Sequence, residues 1–462
     1  MTEAGGWQDL VTASLLGTER VPVPAIAVPG LPSQDGVDAA ADPAAQLLDL
    51  AVLATVARRA GRLPDQAELL PPSGPDPAPA VGPAAGHRLQ RILGGENPDL
   101  LAEWLTAVVS RGYRAPEHLL PALLDRARRG APADPDLRRL AAEAGGARAR
   151  WLAALNPDWR FVMAYAVTAH AVSGPAVTGP AVSGHAQAGE QAWRLGDAGQ
   201  RRGFLARLRA TDPAAARDLI ASSWAAAGTE RVMFTSVLAD GLSLDDEPLL
   251  EAALEDPAED VRSWAAYLLA SLPGSALGRR MADRARRCLR LETGQRGPRL
   301  QVIAPSEVDA TMRRDGVALG PRVPGASQLA DRTRIMLELL SRTPLDVWTT
   351  EFALPASQIV TLPSGDWAPV LFAGWSRAAT AQGRYAPGAR EWMAGLLAAA
   401  LTGRPPATAA ETAALRQLAR RADPELGAPG RLPDPEPGAP PAVYGAAGVL
   451  RFRYEMLKEL DG

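Results

Sequence analysis

The chain has 462 residues, 47% of them hydrophobic, so it is long enough to bury more than one core. Its net charge of -3 and its pI near 6.0 give no overall attraction to nucleic acid or to an anionic membrane. The single lysine, Lys458, has no preceding glycine loop, which excludes a Walker A nucleotide-binding site.

Cysteine usage and hydropathy indicate the compartment. One cysteine, Cys288, rules out an intramolecular disulfide framework and is typical of a reducing compartment. The N-terminus lacks a basic start followed by an apolar core, and no run approaches the roughly 18 apolar residues of a membrane helix. We therefore expect a cytoplasmic protein that does not enter a membrane. Because nearly every basic residue is arginine, a GC-rich coding bias explains their number better than selection for phosphate binding.

Residues 1–168 are predicted to form an N-terminal helical region. The first helix carries Trp7, Leu10, Val11, Ser14 and Leu15 on one face and ends at Gly17, since glycine favours the left-handed conformation of a helix C-cap. A second helix starts at the Asp-Pro of residues 42–43, and short paired helices follow a Pro-rich break at 71–83.

Residues 169–190 carry three near-identical pentads, at 171–175, 176–180 and 181–185. Glycine or proline recurs at nearly every step, so this stretch can neither form a helix nor build a core. The sequence predicts a disordered, low-complexity insertion here.

Residues 191–291 are predicted to form a helical repeat core. Asp212-Pro213 and Asp256-Pro257 each combine an N-cap residue with a first-turn proline and open a run of helical apolar spacing. Five short helices are expected between residues 211 and 290. The clearest stripe consists of Val261, Trp264, Ala265, Leu268, Leu269 and Leu272. The Asp-Pro repeat of about 44 residues falls within the roughly 40–47 of HEAT or armadillo units.

The remaining regions complete an all-α prediction. Residues 292–328 lose the helical period and carry a possible short strand at 300–305. Residues 329–402 form a C-terminal helical region, 403–442 a Pro-rich linker with one short helix at 411–421, and 443–462 an amphipathic helix that either docks on the body or binds a partner. Four tryptophans are expected to be buried: Trp348, Trp367, Trp375 and Trp392. The fold class is an all-α, HEAT- or armadillo-like solenoid with Pro/Gly-rich linkers and a short irregular, possibly β, insertion.

A cluster of six arginines is the strongest candidate binding site. It consists of Arg279, Arg280, Arg284, Arg286, Arg287 and Arg290 on one predicted helix with a single acidic residue, Asp283. Helical spacing places Arg280, Arg284 and Arg287 on one face and Arg279, Arg286 and Arg290 on another. The cluster is a docking strip for an acidic protein or for a phosphate backbone, or it is a solvated helix face in an arginine-rich chain.

Residues that could carry catalysis form no recognisable motif. The four histidines, His87, His118, His170 and His185, include no pair at the i, i+4 spacing of a helical zinc site. Cys288 lies on the apolar side of its predicted helix and is interpreted as a core residue. We expect no catalytic residues, no metal and no cofactor.

Several passages resemble an uncharacterised bacterial family. They are the segment from Trp7 to Arg20, the run from Leu208 to Arg217, and the segments 272–275 and 343–348. These passages are similar to a domain-of-unknown-function family of α-helical, HEAT-like proteins. Its members are encoded near a MoxR-type AAA+ ATPase, a von Willebrand A-domain protein and a SWIM zinc-finger protein. The resemblance implies work within an ATPase-linked assembly.

The leading hypothesis is a non-enzymatic helical-repeat scaffold or adaptor that binds other proteins. A helical-repeat DNA-binding protein of the glycosylase type is an alternative, although the negative net charge disfavours nucleic acid. A hydrolase whose site lies in residues 292–328 is a third hypothesis, because residues that converge only in three dimensions are invisible in a sequence.

Overall fold

The computed structural model describes residues 3–25, 42–60, 70, 72–130, 135–165, 191, 193–295, 297–317, 328–383, 385–386, 388–403, 406 and 408–461. The pentads expected to be disordered, within 169–190, lie outside these residues. Helices dominate the described chain, and its strands form one two-stranded sheet, which confirms an all-α fold with a short irregular insertion. The chain divides into two compact units, residues 1–73 and 74–462.

The first unit contains helices α1 (Glu3–Leu16) and α2 (Pro43–Ala60), which pack against each other. Leu10 and Ala13 of α1 are buried, and Gly17 ends the helix with a φ of 85°, as predicted. The sequence places Leu15 on the same face as the buried Leu10, but 78% of Leu15 is exposed. It lies in the last turn of α1, on the side of the helix that the contact with α2 does not cover.

The second unit begins with five helices around Trp104. They are α3 (Pro83–Leu93), α4 (Leu101–Ser110), α5 (Leu120–Gly130), α6 (Pro135–Leu155) and α7 (Phe161–Tyr165). Helix α6 is kinked at Gly146, whose φ of 56° and ψ of -144° break the helical path. The Asp76 carboxylate accepts a hydrogen bond from the Ala147 amide at 2.6 Å and so caps the second half of α6.

Six helices follow: α8 (Ala198–Thr211), α9 (Pro213–Ser223), α10 (Arg231–Val237), α11 (Glu247–Ala253), α12 (Glu259–Ser271) and α13 (Ala276–Cys288). The five helices expected between residues 211 and 290 are therefore present. Asp212 caps α9 as predicted, since its carboxylate accepts from the Ala215 amide at 2.9 Å. Asp256 does not cap α12, which starts two residues later than expected. Its carboxylate instead accepts from Arg231 at 2.7 Å and from the Ala258 amide.

Helix α12 corrects one predicted core residue. Val261, Ala265, Leu268 and Leu269 are buried as the stripe indicated, but Trp264 is 40% exposed. Its ring lies edge-on to Tyr267 at 5.8 Å, and Tyr267 is 48% exposed. Trp264 lies at the edge of the apolar stripe, three residues from Tyr267. At such an edge the helical period alone does not show whether a side chain is buried or exposed.

The chain then forms a hairpin and returns to helices. Strands β1 (Leu289–Gly294) and β2 (Gly297–Val302) pair antiparallel, with Leu289 opposite Val302. Helices α14 (Ala310–Arg314), α15 (Gln328–Arg342), α16 (Asp346–Phe352), α17 (Ala356–Ile359), α18 (Ala368–Gln382), α19 (Gly388–Leu401) and α20 (Ala409–Arg421) follow. Trp348, Trp375 and Trp392 are fully buried, as predicted, whereas Trp367 is only half-buried and so departs from that expectation.

The last helix, α21 (Pro441–Asp461), docks on the body of the second unit. Phe452, Met456 and Leu460 enter the core formed by α3, α4 and α5, while Leu450 packs in the core of the later helices. The buried Arg453 donates to Glu103 of α4 at 2.8 Å. Of the two roles that the sequence left open for this helix, the structure shows docking.

Candidate protein-binding surface

Helix α13 carries most of the predicted arginine cluster. Its start is fixed by Ser275, whose hydroxyl accepts from the Gly278 amide at 3.0 Å and donates to the Leu269 carbonyl at 2.7 Å. The helix buries one apolar face, which consists of Leu277, Met281, Ala282, Ala285 and Cys288. Because that face is buried, the arginines lie on the other sides of α13, some against a carboxylate network and others in solvent.

Arg280 and Arg284 bind a buried carboxylate. Arg280 Nη2 lies 2.7 Å from Asp315 Oδ1, and Arg284 Nη1 lies 2.6 Å from Asp315 Oδ2. The Asp315 side chain is 2% exposed. Burial alone raises the pKa of this carboxyl, but hydrogen bonds from the two guanidinium groups outweigh it and lower the pKa below the ordinary value. Asp315 is therefore ionised at neutral pH and shares one negative charge between Arg280 and Arg284.

The same network reaches helix α11. Arg280 Nη2 also lies 3.0 Å from Glu251, and Arg314 pairs with Glu251 at 3.3 Å and with the carboxylate of Glu255. Three arginines thus meet three carboxylates, which joins α11, α13 and the turn after α14. The charges balance within this network, so Arg280 and Arg284 act as structural ion-pair partners in this fold.

The other four members of the cluster are exposed, and they include Arg287, which was predicted to share a face with Arg280 and Arg284. We call Arg279, Arg286, Arg287 and Arg290 the exposed arginine row. Arg286 lies 3.1 Å from Asp283 and 3.4 Å from Glu351, in pairs that are open to solvent on both sides. Within the described ranges, no carboxylate pairs with Arg279, Arg287 or Arg290. The row therefore presents an excess of positive charge to solvent.

Arg290 corrects the prediction that all six arginines lie on one helix. Helix α13 ends at Cys288, and Leu289 is extended with φ -136° and ψ 123°. Arg290 is the second residue of β1, opposite Gln301 in the hairpin. The apolar pairing of Leu289 with Val302 starts the strand, so the row continues from the helix onto the sheet.

Sequence reasoning missed Asp315, Glu251 and Arg314. Asp315 is 31 residues from Arg284, and Arg314 is 63 residues from Glu251. No local spacing reports such contacts. The one available signal was Asp309, which caps α14 by accepting from the Met312 amide at 2.7 Å and so fixes the turn that carries Asp315.

Groups suited to catalysis are dispersed. Cys288 is buried, which raises the pKa of its thiol despite the nearby Arg287, so the thiol is protonated at neutral pH. His87 and His118 lie exposed on different elements, and His170 and His185 fall outside the described residues. Across the described ranges, no three His, Cys, Asp or Glu side chains are grouped so that they could hold a metal ion. No helix described here is both long and apolar enough to cross a membrane.

A family model matches residues 9–426, which includes α13 and the exposed arginine row. The chain belongs to DUF5691, a family of unknown function. Helix α21 follows the matched residues, although it packs into the same core as helices of the DUF5691 region. No curated protein and no solved structure is significantly similar to the chain.

Proposed function

We propose that this protein is a non-enzymatic helical scaffold that binds an acidic segment of another protein through the exposed arginine row. The observation that carries the proposal is the division of the arginine cluster. Arg280 and Arg284 are paired with Asp315 and Glu251, whereas Arg279, Arg287 and Arg290 are exposed with no acidic partner among the described residues. Arginine forms bidentate pairs with carboxylates, so an acidic peptide is the complementary ligand.

The succession of short helices supports a scaffold of HEAT-like repeats. Helices α9 to α13 follow one another through short connections, and α12 packs against both α11 and α13. In repeat proteins of this kind, each unit contacts its neighbours and the stack exposes an extended face to partners. The exposed arginine row lies at the end of this series, where the helices give way to the hairpin.

The family resemblance in the sequence suggests the partner. It implies a setting beside a MoxR-type AAA+ ATPase and a von Willebrand A-domain protein. We propose that one of these two proteins supplies the acidic segment, and that the scaffold acts in a cytoplasmic ATPase-linked assembly. The dispersion of the described histidines and of the cysteine is consistent with a role in binding rather than in catalysis.

The test is recovery of these two proteins with the tagged chain from its own cells, in the presence and in the absence of ATP. A triple variant, Arg279→Glu, Arg286→Glu and Arg287→Glu, reverses the charge of the row on α13. A matched control, Arg390→Glu, Arg421→Glu and Arg451→Glu, makes the same charge change at exposed arginines elsewhere.

The proposal predicts that the wild type and the control recover the ATPase or the A-domain protein and that the triple variant does not. Equal recovery of the partner by the triple variant and by the control would show that the arginine row takes no part in the interaction. If the wild-type chain emerges alone in both nucleotide conditions, the scaffold proposal is wrong.

A further inference from the structure

The hydrogen-bond pattern of the hairpin shows which backbone groups of β1 point away from β2. Ile303 donates its amide to the Cys288 carbonyl at 2.8 Å, so the pair just outside the strands is hydrogen-bonded. Hydrogen-bonded and non-hydrogen-bonded pairs alternate along an antiparallel ladder. Leu291 and Thr293, three and five residues after Cys288, therefore belong to non-hydrogen-bonded pairs. Their amides and carbonyls point to the outer edge of β1.

The outer edge of β2 is closed. The amide of Leu300 points away from β1 and donates to the Pro363 carbonyl at 2.9 Å. Two residues earlier, at the next outward-facing position, the chain has Pro298, which carries no N–H. Proline is a common means of blocking an edge strand against further pairing. A further strand therefore finds no free ladder on this side of the hairpin.

The outer edge of β1 is open. No described residue forms a hydrogen bond with the backbone amide or carbonyl of Leu291 or Thr293, and Thr293 is exposed. The strand itself is anchored, because Leu289 is buried in the main core and Leu291 packs against it. This edge presents two N–H groups and two carbonyls in a fixed array. The complement of such an array is the backbone of another extended segment.

The charges beside this edge are mainly positive. Side chains alternate along a strand, so Arg290 and Glu292 share the face opposite the core. Glu292 is paired with Arg299 across the hairpin at 2.8 Å, whereas Arg290 is unpaired. A residue directly opposite Arg290 on an added strand has its β-carbon roughly 4.5–5.5 Å away, within reach for an ion pair. The last turn of α13, which leads into β1, adds Arg286 and Arg287.

We infer that the acidic segment bound by the exposed arginine row is extended and adds as a third strand to the outer edge of β1, with an acidic side chain opposite Arg290. The inference rests on the proposed function, because it describes how that same row receives its ligand. Hydrogen bonds to Leu291 and Thr293 hold the backbone of the segment, and Arg290 selects the acidic residue. An acidic helix uses its own backbone groups internally and does not fit this edge.

The experiment measures the binding of a fluorescent, end-capped eight-residue peptide of alternating Val and Glu to the full-length chain by fluorescence anisotropy. A peptide of alternating Val and Lys is expected to bind at least about tenfold more weakly. Thr293→Pro removes an N–H that the hairpin does not use, and is expected to weaken binding of the Val-Glu peptide at least about tenfold. Thr293→Ala is the matched control, since it keeps the N–H and should bind within about twofold of the wild type.

Hydrogen exchange of the wild-type chain tests the same contact even if Thr293→Pro disturbs folding. Site-resolved mass spectrometry is expected to show slower exchange of the Leu291 and Thr293 amides when the Val-Glu peptide is bound. The Leu300 amide is the internal control, because its bond to Pro363 is present with or without the peptide. Its exchange should stay unchanged.

The outcomes separate this inference from the proposed function. If the peptide binds and both β1 amides are protected, strand addition is supported even where the cellular partners are not recovered. Binding that the charge-reversed triple variant loses, without protection of the β1 amides in the wild type, would refute strand addition and leave the arginine row as the site. No binding of the Val-Glu peptide, or equal binding by Thr293→Pro and Thr293→Ala, would also overturn the inference. Protection of β1 that rises with protein concentration in the absence of peptide would overturn it in favour of a second copy of the chain.

Discussion

The buried ion pair between Arg209 and Asp246 gives the sharpest test of how helices α8 to α11 are held together. Both side chains are 0% exposed. Arg209 Nη1 lies 2.8 Å from Asp246 Oδ1, and its other nitrogens donate to the backbone carbonyls of Leu238, Asp240 and Gly241. One guanidinium thereby links α8 to the turn after α10 and to the carboxylate before α11.

Asp246→Asn keeps the shape of the side chain but removes its charge and points an amide donor at a buried cation. Loss of one partner from a buried pair costs about 3–5 kcal/mol, because the remaining charge is desolvated without compensation. We expect Asp246→Asn to lower the free energy of unfolding by that amount. The assay is urea denaturation of the full chain, followed by far-ultraviolet circular dichroism.

The control is a pair of similar geometry at the surface. Arg91 donates to both carboxylate oxygens of Glu96 at 2.6 Å, with side-chain exposures of 49% and 45%. Exposed pairs contribute about 0–1 kcal/mol, so Glu96→Gln is expected to change stability little. The same loss of stability in Asp246→Asn and Glu96→Gln would show that burial does not determine the strength of the Arg209 pair.

Three further predictions follow from the geometry. The pKa of Asp315 lies below its ordinary value of 3.8, so its ion pairs stabilise the fold above that pH and lose this contribution as the pH falls through the folded-state pKa. Thermal melting should therefore show the largest difference in stability between wild type and Asp315→Asn at pH 7 and a smaller difference below pH 3.8. A difference that does not change with pH would contradict this prediction. Iodoacetamide is expected to label Cys288 at least about tenfold more slowly in the native chain than in urea, because its thiol is buried; equal rates would show that it is accessible. Gly427→Ala is expected to destabilise the protein because the new methyl group would overlap the Leu450 carbonyl oxygen. Gly448→Ala meets nothing within 4 Å and should stabilise α21 by about 0.5–1 kcal/mol. Equal shifts in the melting temperature of the two variants would contradict this prediction.

Local signals in the sequence predicted the helices well, because the physical causes are local. Asp212 caps α9 with its own carboxylate, and Gly17 ends α1 through a positive φ. Fully buried residues such as Trp348 follow from the apolar period. Side chains at the edge of an apolar stripe are different, and Trp264 and Leu15 were placed wrongly because neighbouring helices decide how much of a helix is covered.

The candidate site was predictable only in part. The sequence identified the arginine cluster, but it could not separate Arg280 and Arg284 from the exposed members. That separation depends on Asp315, which a turn more than 30 residues away brings under the helix. The position of Arg290 depends on hairpin pairing, another contact between segments. Charge patterns therefore locate a cluster, while tertiary contacts determine which of its members remain available to a partner.

The most direct test of the scaffold proposal is the affinity of the purified chain for the purified MoxR-type ATPase and A-domain protein at increasing salt. Binding through exposed arginines is electrostatic, so the affinity of the wild type should fall steeply as ionic strength screens the charges. The variant with Arg279, Arg286 and Arg287 changed to Glu should bind weakly at every salt concentration. Equal affinity and equal salt dependence of the two chains, or no binding of either protein by the wild type, would contradict the account.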